Sequence, residues 1–570
     1  MRKKITNTVL LAALCGIGVV FSGCQHHEAA TWIKFKEQKK ANLPTDLADY
    51  SYAGYKFGNC EIPDKLNWKV FNVIDYGAVP NDQKSDKEAI QKAVDAAEAN
   101  GSGIIFFPPG VFRVSEEPNV PNGIYINSSN ILIKGSGSTP GGTVIYMKHA
   151  HVPAEPNVLW KVSRVFNFQP ADKKREFSIS NRSKLVPLAK IVKNVQRDQF
   201  SVIVSEPRKF RVGQSVMIAT QSKILNRERL AGLCTRPIWK EINEKGIAIA
   251  EKYVIKKVNG NELTFTAPLK STMTIDLDWK IYDYPTLENW GVEDIHFVGN
   301  FREKFIHHKD ACHDSGFGMI SMRQGVNCWI RRNRVTNSTN AFSFTGCIGS
   351  SMLLNSVDGY QGHTNFTTNW GYGNLIGLSQ DFTDIGTWHG PGISHEMTGA
   401  VVWRYTSLAK FYGGPDYHAR FPHTSLWDNS IANLNNSGGN YTRLPLHLND
   451  LTYWNFTPTR AHKNIDFWGL PVKDEDRKKK YFGLYIAYPN IIGFNSTNST
   501  INEKHVNLLE SFGKKVYPRS LYEDQLQLRL GRLPKWVKDS KKEWKSLQKV
   551  YAREAKEAKN ESYLNNLLKN

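Results

Sequence analysis

Val70-Phe71-Asn72-Val73-Ile74-Asp75-Tyr76-Gly77-Ala78, followed one helix length later by Ile104-Ile105-Phe106-Phe107-Pro108-Pro109-Gly110-Val111-Phe112, is the stretch that decides the fold. The first run reads as a strand closed by a glycine turn. Between the two, Ser85 to Asn100 has helical periodicity, with Ile90, Ala93, Val94 and Ala97 on one face. Gly101-Ser102-Gly103 stops that helix, and the second run is a buried strand with a Pro-Gly corner.

Three pieces of this stretch resemble the opening of the pectate-lyase-like superfamily. They are Asp75-Tyr76-Gly77-Ala78, the aspartate-rich turn from Asn81-Asp82 to Ser85-Asp86, and Phe107-Pro108-Pro109-Gly110-Val111-Phe112. The resemblance implies an all-β chain, a right-handed parallel β-helix (solenoid) with an N-terminal capping helix. It implies no single reaction, because lyases, glycoside hydrolases and phage tail fibres share this opening.

Outward from there, solenoid coils return after Trp290. Runs begin at Val292, Met319, Ala341, Asn365, Gly392 and Ala419, with 22 to 27 residues between starts, the repeat expected of stacked supersecondary units. Asn327, Asn333, Asn355 and Asn429 fall near coil corners, where an amide can bond the turn backbone. Cys328 and Cys347, about one coil apart, read as a buried stack rather than a disulfide. Residues 164–284 differ in character, with alternating charge-rich strands at Phe200–Val204, Ser215–Ala219, Tyr253–Val258 and Glu262–Ala267 and a hairpin turn at Asn259-Gly260. They predict a small β-rich insertion. Beyond Gln525, Leu, Trp and Tyr recur at helical intervals in a Lys/Glu-rich segment.

The ends address the compartment. Arg2, Lys3 and Lys4 precede an apolar run from Val9 to Phe21 that closes in Ser22-Gly23-Cys24, too short for a spanning helix. This resembles a lipoprotein signal peptide, and implies lipidation of Cys24 and an exported protein on the outer membrane of a Gram-negative bacterium. The expected organisation is residues 1–23 as signal peptide and 24–69 as tether and N-terminal cap. First coils with the capping helix follow at 70–163, the insertion at 164–284, main coils at 285–500, and a basic helical segment at 501–570. The formal net charge is +21, and Lys514–Asn570 holds fifteen Lys/Arg against seven Asp/Glu. A basic body suits a polyanionic ligand, and the exported address disfavours nucleic acid.

Chemistry concentrates between His307 and Asn449, which holds nine of the sixteen histidines. His313, His363, His389, His418 and His447 are 50, 26, 29 and 29 residues apart, close to whole numbers of coils. Parallel strands lie about 4.8 Å apart, so such positions would form a column of imidazoles. Aligning Ile320 with Phe342 and Phe366 puts Arg323, Thr345 and Asn369 at matching outward positions. Asp416-Tyr417-His418-Ala419-Arg420-Phe421 would set His418 and Arg420 on one side of an extended strand.

Several segments, among them Trp388-His389-Gly390-Pro391-Gly392, Val402-Trp403-Arg404 and Pro445-Leu446-His447-Leu448-Asn449-Asp450, resemble bacterial lipoproteins that degrade polysaccharides on a β-helix. That resemblance implies a lyase acting on a uronic-acid polysaccharide, with glycosaminoglycan-type chains nearest. A lyase needs a base, a group to neutralise the carboxylate, and an acid for the leaving oxygen. His363, His389, His418 and Arg420 are the candidate catalytic residues; His313, Arg323, Asn369, Trp388 and His395 are candidates for substrate binding. A glycoside hydrolase is the alternative, with Asp314, Asp381, Asp384, Glu396 and Asp416 as carboxylates. A non-catalytic glycan-binding protein, using Trp370, Trp388, Trp403 and Tyr417 as platforms, is the third reading. No metal site is predicted; the resemblance admits Ca²⁺, for which Asp310, Asp314 and Asp450 are scattered donors without loop spacing.

Overall fold

The computed structural model describes residues 28–171, 185–434, 439–469 and 484–569. Cys24 and the signal peptide lie outside the described residues. The chain winds as a right-handed parallel β-helix of three long sheets, as the opening motif predicts. The first sheet has twelve strands, from Val70–Asn72 to Leu508–Glu510. The second has nine, from Gly110–Val114 to Thr457–Pro458, and the third has six, Ile124–Ile126, Phe166–Phe168, Gly318–Arg323, Asn340–Thr345, Thr364–Asn369 and Gly392–Ser394. Met319, Ala341, Asn365 and Gly392 fall in successive strands of the third sheet, whereas Val292 belongs to the first and Ala419 to no strand. The coils run on past residue 500 to Glu510, and Phe166–Phe168, within the span read as insertion, is a solenoid strand.

Stacking coils place like residues above like. Phe107, Phe166, Phe297, Phe342, Phe366, Tyr405, Trp427, Phe456, Phe494 and Phe512 form an unbroken column of rings, centroids 5.5 to 6.5 Å apart, along the solenoid axis. Two of the four corner amides, Asn333 and Asn355, bind the backbone as expected, whereas Asn327 Oδ1 is buried without a hydrogen-bond partner. Asn333 Nδ2 donates to the Val292 carbonyl at 3.0 Å, and one coil on Asn355 Nδ2 donates to Ile330 at 2.9 Å. Cys328 and Cys347 are buried free thiols.

The helix Lys87–Ala99 caps the first coil, burying Ile90, Ala93, Val94 and Ala97. Residues 28–69 are not a tether leading to a cap. They run along the outer face of the first sheet from its far end, beginning with the helix Ala30–Lys40, in whose first turn the Thr31 hydroxyl donates to Glu510 at 2.6 Å. Tyr50 then meets Thr452 at 2.7 Å, Gly54 meets Gly373, and the Ile62 and Pro63 carbonyls take the Arg331 guanidinium. The C-terminal helices Leu521–Leu530, Lys535–Glu557 and Glu561–Leu567 return along the same flank until Leu568 reaches Arg113. Between these two straps the outward residues Trp329, Leu353, Leu375, Trp403, Leu426 and Trp454 form a second apolar core. Strands of the first sheet are therefore apolar on both faces.

Asp428 anchors this junction. It accepts from Leu521 N at 2.8 Å and is bonded to the hydroxyl of Ser520, the residue that caps the helix Leu521–Leu530. Burial outweighs the hydrogen bonds of Ser520 and Leu521 and the charge of Arg404, raising the Asp428 carboxyl to about 7. The folded chain thus holds a proton that the unfolded chain releases near the ordinary carboxylate value. This contribution to stability is complete below that value and is lost as pH rises through about 7. Asp428→Asn should remove that part of the pH dependence. Its unfolding free energy relative to the parent should rise between pH 4 and pH 8 by up to a few kcal/mol, as read by denaturant melts; a difference that does not change with pH would contradict this.

The insertion is a six-stranded antiparallel sheet ordered Ala189–Lys190, Lys280–Asp283, Ser215–Ser222, Ile247–Asn259, Glu262–Phe265, Ser201–Ile203, with helices Ile224–Leu230 and Lys240–Glu244. It packs where third-sheet strands end: Tyr284 Oη donates to Gly346 O at 2.8 Å, and Tyr253 lies 5.0 Å from Tyr372.

Candidate functional site

At the start of the third-sheet strands the coil register brings imidazoles together. Thr364 bridges His389 in parallel, Gly392 bridges Asp416, and His389 N donates to His363 O at 2.8 Å. The rings of His363 and His389 are consequently 5.0 Å apart, and those of His389 and His418 are 4.4 Å apart. Asp416 joins the last two. His389 Nδ1 lies 3.0 Å from its Oδ1 and His418 Nδ1 lies 2.9 Å from its Oδ2, so each ring turns Nε2 away from the carboxylate.

A loop that the repeat does not announce completes the cluster. It precedes the short π-helical turn Cys312–Gly316 and carries His307, 5.5 Å from His389 and 5.2 Å from His363. Its neighbour His308 bonds the buried Asp314 carboxylate at 2.8 Å, while the Asp314 carbonyl is 2.7 Å from His363 Nδ1. The Nε2 atoms of His307, His363 and His389 are buried without a hydrogen-bond partner. These three residues, and separately His389, Asp416 and His418, each offer donor atoms within 4.8 Å of one another, close enough for a cation.

Electrostatics separates the rings. Burial opposes protonation of His418, but the Asp416 carboxylate outweighs it and raises its pKa. His389 is lowered, because burial and the neighbouring His418 exceed the pull of Asp416. Burial with His389 nearby holds His363 well below the ordinary value, and burial with His308 and His389 takes His307 to about 4. Asp416, though buried, is held below the usual carboxylate range by His418 and His389.

Aromatic faces flank the cluster. Trp388 is sandwiched by His307 at 5.0 Å and Tyr412 at 4.5 Å, and Trp370 stacks on His395 at 4.2 Å. Across the sheet, Arg323 pairs with Thr345 and Thr345 with Asn369, so the expected outward row exists, and its members are half-buried. This row lies between the His307 loop at the strand starts and the insertion at the strand ends.

Other sequence expectations are corrected. His313 is not in the column: it is fully buried in the π-helical turn, with Nδ1 accepting from Ile306 N and its ring packed on Phe301. His447 is buried 5.6 Å from Tyr417, with Nδ1 on the Leu448 carbonyl, because its position faces inward. Arg420 does not accompany His418 on a strand. Residues 417–422 form none, and the guanidinium, 3 % exposed, is ion-paired with Glu241 of the insertion at 2.8 Å. Trp403 and Tyr417 are buried, donating to Glu523 and bonded to Tyr453 respectively, so neither is a stacking platform. Asp310, Asp314 and Asp450 do not converge: Asp310 binds the His313 amide, Asp314 His308, and Asp450 Arg197. His307, His308 and Asp416 complete the cluster that the sequence reading left partial; the Asp416-x-His418 spacing was the available signal.

The family model described as rhamnogalacturonase A/epimerase, pectate lyase-like, matches residues 70–154, the capped first coils. The capped first coils of this β-helix are similar to the pectate-lyase-like superfamily. A second model, a domain of unknown function (DUF4955), matches residues 386–540, the later coils that hold His389, Asp416 and His418 together with the helix Leu521–Leu530. Mannuronan C5-epimerase AlgE3 of Azotobacter vinelandii is 46% identical over 79 residues, 14% of this chain and 4% of the epimerase. Alginate lyase 7 of the same organism is 41% identical over 75 residues, 13% of this chain and 8% of the lyase. The chain thus matches less than a tenth of the length of these relatives. Among solved structures, the A-module of mannuronan C-5 epimerase AlgE6 from Azotobacter vinelandii aligns at 12% identity over 78% of this chain and 95% of that chain, with a TM-score of 0.37.

Proposed function

We propose that the third-sheet face cleaves an acidic, uronate-containing polysaccharide by β-elimination, with His418 as the base. The observation that carries the reading is the Asp416 carboxylate holding two imidazoles by Nδ1, which leaves His418 Nε2 turned away from the carboxylate on a side chain that is 30% exposed. In the reaction, Nε2 takes the proton at C5 beside the uronate carboxylate. The C5–H electron pair forms the C4–C5 double bond, the C4–O bond breaks, and the leaving oxygen acquires a proton. Half-buried Trp370, stacked on His395 by one face, offers the other to a sugar, Trp388 being covered by His307 and Tyr412, and the Arg323–Thr345–Asn369 row offers polar contacts along a chain. Arg420 is spent on Glu241 and supports the wall rather than the substrate carboxylate.

Hydrolysis is less well supported. Each carboxylate available for it is already engaged: Asp381 by Thr383 and Thr387, Asp384 by Lys559, Glu396 with Arg420, Asp314 by His308 and Asp416 by two histidines. Hydrolysis needs two carboxyl groups set as acid and base on either side of one glycosidic bond, and these five are held by different partners. C5 epimerisation shares the first proton transfer and is favoured as a second reading by the similarity of 79 residues to an epimerase. Incubation with alginate, pectate and glycosaminoglycan polymers should yield an unsaturated sugar absorbing in the near ultraviolet. Reducing ends without that chromophore would overturn the lyase reading in favour of hydrolysis, and binding without turnover would leave only a glycan-binding role.

A further inference from the structure

We propose that His307, His363 and His389 form a binding site for a first-row transition-metal dication of the zinc class. Their donor atoms all lie within 4.8 Å of one another, and the Nε2 atoms of all three are buried with no hydrogen-bond partner. His363 and His389 are 8% and 5% exposed, so two of these orphan nitrogens sit on rings that are nine-tenths buried. An unsatisfied buried polar atom is costly, on the order of 1–3 kcal/mol each, and three at one point call for a common partner. A proton bridges two nitrogens at most, whereas a dication satisfies all three.

The far side of each column ring supports the same conclusion. His363 Nδ1 is 2.7 Å from the Asp314 carbonyl, and His389 Nδ1 is 3.0 Å from the Asp416 carboxylate. Each contact holds the proton on Nδ1, fixing the tautomer that leaves the lone pair on the unpartnered Nε2. Histidine ligands to metals are oriented in this way, by a carbonyl or carboxylate behind the ring. The alternative trio of His389, Asp416 and His418 is poorer, because Asp416 already accepts from both Nδ1 atoms. Imidazole nitrogen selects zinc, nickel, cobalt, copper or iron rather than calcium or magnesium, and three protein ligands leave a position open. Around a tetrahedral ion with bonds of 2.0–2.1 Å the nitrogens would stand about 3.3 Å apart. His307, on a loop outside regular structure, can move inward to close that gap.

The open position would face the groove beside His418, where a uronate carboxylate could bind as the fourth ligand. This role rests on the proposed lyase reading; metal binding itself does not. It would supply the neutralising charge that Arg420, held by Glu241, does not.

The test uses the full mature chain without a polyhistidine tag, stripped with chelator and titrated calorimetrically with Zn²⁺ in the absence of any polysaccharide. Binding of one ion per chain at micromolar affinity or tighter is expected, and Co²⁺ in its place should give the visible absorption of a low-coordinate nitrogen site. His307→Ala and His363→Ala should each weaken Zn²⁺ by at least tenfold. His307→Ala alters a loop residue, so the fold survives even where the buried His363→Ala does not. Absence of stoichiometric Zn²⁺ binding by the parent chain, or undiminished binding by His307→Ala, would overturn the site. Zn²⁺ binding lost in these variants, in a chain that nevertheless leaves every uronate polymer intact, would uphold the site and reject the lyase reading.

Discussion

Asp416→Asn should lower turnover of a uronate polysaccharide by about 10²–10⁴-fold, the range of a positioned acid–base pair, while the chain stays folded. Asp416 accepts from Nδ1 of both His389 and His418. An amide keeps the size of the side chain but has only one acceptor oxygen, and its NH₂ must face one of the two rings. That ring then has to give up its Nδ1 proton and carry it on Nε2, where the base needs a lone pair. The prediction is therefore of a tautomer error, not of lost packing. His418→Ala should cost a similar factor, and combining the two should add little, because both remove the same base. Turnover within a few-fold of the parent in Asp416→Asn, with an unchanged melting temperature, would remove the Asp416 pair from the reaction.

The largest effect on stability is expected at Glu293. This carboxylate is fully buried at a corner of the first sheet and pairs with Arg331, Lys134 and Arg332. Arg331 is itself buried, and its remaining donors hold the Ile62 and Pro63 carbonyls of the N-terminal strap. Glu293→Ala leaves that buried guanidinium with only the exposed Asp64 carboxylate, 2.9 Å away, as counter-charge, and breaking a buried pair costs about 3–5 kcal/mol. The strap between residues 60 and 66 should loosen with it, so hydrogen exchange there should accelerate beyond the global change. A loss below about 1 kcal/mol in denaturant melts, with strap exchange unaltered, would show that the corner network does not dock the strap.

What could be read from the sequence follows from which contacts repeat. The solenoid was legible because each coil meets its neighbour about 25 residues away, and that period leaves its mark in Ile320, Phe342 and Phe366. The same period exposed His363, His389 and His418. It misplaced His447, since a whole-coil interval fixes height along the axis and not which way a side chain points. His307 belongs to a loop without periodicity, and nothing local announces its approach to His389. Arg420 failed for a related reason: H-x-R places two side chains together only on an extended strand, and here the partner, Glu241, lies in a separate sheet. The strap is the clearest limit. Tyr50 bonds Thr452 across 402 residues of sequence, and no pattern within residues 28–69 records the face it covers.

The central claim is abstraction of the proton at C5 of a uronate by this imidazole cluster. It is tested most directly by running the reaction in D₂O with a uronate polymer and following the products by NMR. The account predicts unsaturated non-reducing ends that appear with the parent chain and vanish with His418→Ala. Saturated products with new reducing ends, and no loss or exchange of the C5 proton, would contradict it.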